Sequence, residues 1–163
     1  MVNLPKIAGI QQKSILVDTN LLLLLFLGTF NPARISKFKR TQQFSDKDFY
    51  LLVNFLSGFD KVITTPHILT EVSNFGGQLG DFQAGFFTVF ARLVQKLEEA
   101  TRSSVEIAAT DLFMRMGLTD AGIGLICSTA MVVLTDDSRL AAALVSKGVQ
   151  AFSFDLLKSL SAM

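Results

Sequence analysis

The sequence predicts an α/β fold with a mostly parallel sheet, and three observations carry that expectation. Short apolar runs of strand length alternate with stretches of helical length, the pattern of strand–helix–strand units. Half of the 163 residues are hydrophobic and 18% are charged, which supplies a sizeable core and argues against disorder. The acids Asp18, Glu71, Asp120 and the pair Asp136-Asp137 each stand beside an apolar segment, and parallel sheets gather ligands at the carboxyl ends of their strands. The length fits one domain over residues 1–163.

Taken in order, Ser14-Ile15-Leu16-Val17 reads as a strand buried on both faces, and 21–27 as a helix hydrophobic all round. The run 15–27 is 13 residues long and contains Asp18, Thr19 and Asn20. A membrane helix needs roughly 20 apolar residues, and a signal peptide lacks such an interruption, so a soluble chain is expected. Residues 28–44 form a polar break with Pro32 inside it, holding Arg34, Lys37, Lys39 and Arg40 and no acid. Ser45, with Asp48 three residues on, caps an amphipathic helix to about residue 59. Lys61–Thr64 is a short strand, and Thr65-Pro66 supplies the cap and first residue of a helix ending near Gly76-Gly77.

Phe82, Phe86, Val89, Phe90, Leu93, Val94 and Leu97 recur at helical spacing, which predicts one long Phe-rich helix over 82–100. A helix over 105–116 stops at Gly117, and another begins around Thr119-Asp120 and runs to about Ser128. Residues 131–134 are a strand, Ser138–Ser146 a helix closed by Gly148, and 149–154 a last strand. No repeat or low-complexity tract is present. The net charge of +1 neither selects nor excludes a nucleic-acid partner. Cys127 is the single cysteine, so no internal disulfide forms, and its apolar setting suits a buried thiol in a reducing cytoplasm.

The acids carry the chemistry. Asp18 leaves the first strand in Asp18-Thr19-Asn20, three polar residues where one would cap the next helix. Glu71 lies in the second turn of its helix, too far along to cap it, on the flank of the stripe Ile68, Leu69, Val72 and Phe75. Asp120 opens a helix, where an acid is favourable by itself. Asp136 and Asp137 directly follow a strand, and one of them suffices as a cap. Gathered along one sheet edge, these carboxylates would repel one another without a cation. An all-oxygen donor set suits Mg²⁺ or Mn²⁺, and no Cys/His spacing supports zinc.

In this order the acidic positions resemble the PIN-domain ribonucleases, including toxins of the virulence-associated type in bacterial toxin–antitoxin pairs. The matching strings are Ile15-Leu16-Val17-Asp18-Thr19-Asn20, Thr65-Pro66-His67-Ile68-Leu69-Thr70-Glu71-Val72, Leu118-Thr119-Asp120-Ala121 and Val132-Val133-Leu134-Thr135-Asp136-Asp137. They span most of the chain. The basic break 28–44 and the segment 82–100 lie outside them. The resemblance implies a PIN-like three-layer sandwich and Mg²⁺- or Mn²⁺-dependent hydrolysis of single-stranded RNA. It also implies Asp18, Glu71, Asp120 and Asp137 as catalytic metal ligands. Asn20, Thr135 and Asp136 would be the supporting polar residues, with Asp137 matching the last motif better than Asp136.

RNA approaching an acidic cleft needs flanking positive charge. Arg34, Lys37, Lys39 and Arg40, interleaved with Phe30, Phe38 and Phe44, are the candidates for phosphate contact and stacking, and His67 for contact with substrate or second-shell water. Each has a bland alternative, a solvated loop for the cations and a structural helix-start histidine for His67. Fifteen Phe residues with no Trp leave room for an exposed patch covered by a second subunit or an antitoxin. A catalytically inactive PIN-like module that binds RNA or protein is the second reading. A phosphoacceptor receiver domain fits poorly, because the first strand lacks an acidic pair and no lysine follows Leu134 until Lys147.

Overall fold

A computed structural model describes residues 10, 12–128 and 130–163. Its strands are β1 (Ser14–Val17), β2 (Lys61–Thr64), β3 (Glu98–Glu99), β4 (Met131–Thr135) and β5 (Gln150–Ser153). They form one sheet in the order β3-β2-β1-β4-β5, every neighbouring pair parallel. The helices are α1 (Thr19–Phe30), α2 (Asp46–Leu56), α3 (Pro66–Gly76), α4 (Gln83–Val94), α5 (Ser104–Ala108), α6 (Asp111–Ile126), α7 (Ser138–Ser146) and α8 (Phe154–Ser161). The architecture is α/β, consistent with a PIN-like three-layer sandwich.

The two central strands explain their own position. Ile15, Leu16 and Val17 of β1 and Val132, Val133 and Leu134 of β4 are fully buried, which suits strands covered on both faces. Their register pairs Ser14 with Met131 and Val17 with Leu134. A helix that is apolar all round must be enclosed, and α1 packs against α2, α3, α4 and the 3-10 segment Pro32–Lys37. Gly28 makes part of this possible, because a Cβ there would overlap the ring of Phe49 on α2. A second, smaller apolar cluster of Ile107, Leu112 and Ala121 joins α5 to α6, with Ala143 of α7 against it. Among the other helices, α3 packs against α4, and α7 packs against α6, β4 and β5. Among the described residues no helix is long and apolar enough to cross a membrane.

Several boundaries match the expectation: Lys61–Thr64, Ser138–Ser146, and the helix from Pro66 to Gly76, with Thr65 accepting from the Ile68 N–H at 3.1 Å. Ser45 and Asp48 form the full capping box, although α2 stops at Leu56. The long Phe-rich helix over 82–100 is a correction. Phe82 belongs to the 3-10 turn Gly80–Phe82, α4 ends at Val94, and Glu98–Glu99 runs as an edge strand beside β2. Leu97 continued the helical period, but tertiary pairing prevailed. The Ala100 N–H donates to the Thr64 carbonyl at 2.9 Å, and Lys61 pairs with Glu98 at 2.9 Å. Glutamates are poor strand formers, so no local signal marked β3.

Two further differences have local causes. The helix expected over 105–116 breaks into α5 and the start of α6, with Ser103 and Glu106 forming an unexpected capping box. The break at Gly117 is present, at a φ of 80°. The last strand ends at Ser153, whose hydroxyl caps α8, an element absent from the sequence expectation. Its Phe154 and Leu157 are buried, and Lys158 reaches Asp48 of α2 at 3.3 Å.

Candidate functional site

The chain leaves β1 toward β2 on one side, whereas β4 and β5 lie on the other. Such a reversal opens a crevice outside the carboxyl ends of the two strands. Here it is a cleft of about 350 Å³. Five carboxylates line it: Asp18 after β1, Glu71 on α3, Asp120 on α6, and Asp136 and Asp137 after β4. Thr19, Asn20 and Thr119 stand among them, and Phe75, Met116, Gly117 and Leu118 form an apolar part of the wall.

Asp18 is 6% exposed and is held from three sides. It caps α1, accepting from the Leu21 N–H at 3.3 Å, and also accepts from the Thr135 hydroxyl and from the Asp136 N–H at 3.1 Å. Its own N–H donates to the Leu134 carbonyl at 3.1 Å, which carries the β1–β4 ladder into the site. Burial raises the Asp18 carboxyl well above its ordinary range, and the charge of Asp136 adds to this, while the Thr135 and Leu21 donors oppose it. Thr135 is itself fully buried, and its hydroxyl accepts from the Asp137 N–H at 2.9 Å. One side chain thus links the acid after β1 to the turn after β4.

Glu71 is clamped. Its two oxygens accept from Thr19 at 2.8 Å and Thr119 at 2.6 Å, hydroxyls carried by α1 and α6. Asp136 accepts from the Asn20 amide at 3.1 Å. Asp137 caps α7, accepting from the Arg139 N–H at 2.8 Å and the Leu140 N–H at 3.3 Å. Its other oxygen is 3.8 Å from the exposed Arg139 guanidinium. Asp120 follows the Gly117 break by three residues, and its carboxyl is pushed up to about 6. Burial is the largest cause, then Asp137 and Glu71; Arg139 pulls it down, and Asp136 adds a smaller rise.

Among the described residues, no Lys, Arg or His lines the cleft. Carboxylates crowded this way call for a cation, and the donor chemistry, all oxygen, fits Mg²⁺ or Mn²⁺. Among the described residues no three such side chains stand at ligand spacing around one point. Mg²⁺ commonly keeps several waters and takes only one or two carboxylates, so the set fits a hydrated ion better than a closed cage.

The expected residues divide into two groups. Asp18, Asn20, Glu71, Asp120, Asp136 and Asp137 converge on the cleft, and Thr135 sits directly behind it. His67 is in the first turn of α3 and does not line it. Arg34 lies over the Phe82 ring, 3.7 Å from its centroid, with its Nε buried and without a hydrogen-bond partner. Lys37 and Lys39 are exposed. Arg40 is exposed and lies over Phe75, 4.4 Å from the centroid. Sequence reasoning missed Thr19 and Thr119 as the clamp on Glu71, although each adjoins an acid. Phe75 packs against the core as its place in the apolar stripe predicts, and it also lines the cleft, four residues after Glu71, which the sequence did not signal.

No protein-family model matches the chain, and no curated protein matches it.

Proposed function

We propose that the protein is a divalent-cation-dependent endoribonuclease of PIN-like type, hydrolysing phosphodiester bonds in single-stranded RNA. The observation that carries this reading is the cluster of five carboxylates at the β1/β4 crevice with no basic side chain lining it among the described residues. Asp18, Glu71, Asp120 and Asp137 would hold Mg²⁺ or Mn²⁺. When bound, that ion supplies polarisation of a water nucleophile and neutralisation of charge on the phosphate.

The chain's own residues prepare the site. Thr135 and the Asp136 N–H fix Asp18, Thr19 and Thr119 fix Glu71, and Asn20 turns Asp136. The Asp120 proton, retained up to about pH 6, must leave for a cation to bind, so affinity rises with pH through that value. The test is cleavage of a single-stranded RNA with Mg²⁺ or Mn²⁺, with Asp18→Asn and Asp137→Asn as controls. Cleavage by the wild-type chain that both variants match would refute the proposal.

A second reading, a catalytically inactive module that binds RNA or protein, draws on the capping roles of Asp18 and Asp137 and on the absence of a ready ligand triad among the described residues. Calorimetric titration separates the two, because such a module shows no divalent-ion binding lost on Asp18→Asn. A toxin–antitoxin role is a narrower form of the first reading. A small neighbouring open reading frame whose product binds and silences this chain would support it.

A further inference from the structure

Phe75 is a half-buried aromatic that reaches into an acidic cleft. It stands four residues after Glu71 on α3, so the two side chains share one helix face about 6 Å apart along the axis. The cleft wall around Phe75 is apolar, with Met116 and Leu118 contributed by the two sides of the Gly117 break. Gly117 has a φ of 80°, a conformation that turns the chain sharply between them. Arg40, outside the cleft, stacks its guanidinium over the Phe75 ring. The cleft lining therefore combines carboxylates with an aromatic and apolar wall, and the aromatic ring in that wall carries a stacked cation from the basic segment.

We propose that Phe75 is a stacking subsite for one unpaired base of a single-stranded RNA, with Arg40 holding the ring and offering its charge to an adjacent phosphate. The inference rests on the phosphodiester reading and deepens it by assigning the nucleotide next to the one held at the carboxylates. Unpaired bases stack on aromatic rings and on arginine planes with little regard to sequence. A flat ring beside Met116 and Leu118 suits the apolar faces of a base, whereas a sugar–phosphate alone would gain little there. Arg34 has no part in this, because its guanidinium is committed to Phe82 and its Nε is buried.

The test is fluorescence anisotropy of the full chain with a labelled uridine 12-mer RNA. Ca²⁺ replaces Mg²⁺, and a gel confirms that the oligomer stays intact. A matched oligomer of abasic ribose-phosphate is measured in parallel. Wild-type protein should bind the uridine oligomer about tenfold more tightly than the abasic one, the order expected for loss of one stack. Phe75→Leu should remove that preference without weakening abasic binding, and Phe75→Tyr should restore it. Arg40→Gln should weaken both oligomers. The charge-matched control Lys147→Gln should alter neither, since Lys147 is absent from the cleft lining and leads into β5, the edge strand farthest from β3. Equal wild-type affinity for the two oligomers overturns the subsite without any variant, and so does a uniform loss in Phe75→Leu. If wild-type protein cleaves RNA yet Phe75→Leu keeps its base preference, only the subsite falls. If wild-type protein neither binds nor cleaves single-stranded RNA, the nuclease reading falls with it.

Discussion

Replacing Asp120 with Asn should stabilise the cation-free protein near neutral pH and leave it almost unchanged in acid. The folded Asp120 carboxyl keeps its proton up to about 6, against an ordinary value of 3.8. Between those values the unfolded chain is ionised at this position and the folded chain is not. Wild-type stability therefore falls as pH climbs through that window and stays lower above it. The full difference corresponds to at most about 3 kcal/mol. Asp120 is only partly buried, so solvent screening leaves roughly 1 to 1.5 kcal/mol. Urea unfolding in EDTA between about pH 4 and pH 8 reads this directly. With a denaturant slope of about 1.5–2 kcal/mol per molar, the variant's midpoint should exceed the wild type's by roughly 0.5–1 M at pH 8 and converge with it at pH 4. Mg²⁺ should then raise the wild-type midpoint by mass action and move the variant's less. A gap that stays constant across pH, or a variant less stable than wild type at pH 8, would refute the electrostatic account of the cleft.

Three other outcomes follow from the same contacts. Thr135→Val removes the hydroxyl that donates to Asp18 and accepts from the Asp137 N–H; thermal unfolding should show a loss of about 1–3 kcal/mol, the cost of stranding buried polar groups. Thr19→Val and Thr119→Val each free one oxygen of Glu71; each should cost about 1 kcal/mol, and calorimetry should show weaker Mn²⁺ binding in the double variant than in either single one. Burial pushes the Cys127 thiol up to about 12, so alkylation near pH 8 should be slow in native protein and become fast in urea.

The parts of this fold visible in the sequence are those where local chemistry and tertiary packing agree. The strand Lys61–Thr64 and the helix after Thr65-Pro66 carry both a composition and a boundary signal, and they appear where expected. Glu98–Glu99 carries neither, since its place in the sheet comes wholly from the exposed edge of β2. The helix starting at Phe154 was hidden because Phe154 also reads as the end of an apolar strand. At the cleft, the acids were legible one by one from their unusual neighbours. Their partners were not, because the bonds that hold Glu71 cross 52 and 48 residues of sequence. The core packing of Phe75 was legible but its place in the cleft wall was not, because a helix-spaced phenylalanine has the same signature in both settings.

The pairing of β1 with β4 has a consequence for how the protein comes into being. Ser14–Val17 leaves the ribosome well before its central neighbour, Met131–Thr135, which follows only after more than a hundred further residues have been made. Contacts that distant close slowly, and until then Asp18 has neither the Thr135 hydroxyl nor the Asp136 N–H beside it. A nascent chain carries β1, β2 and most of the helices without an assembled acidic crevice. The carboxylate cleft is therefore complete only once the strand Met131–Thr135 and the turn after it have taken their places beside Ser14–Val17.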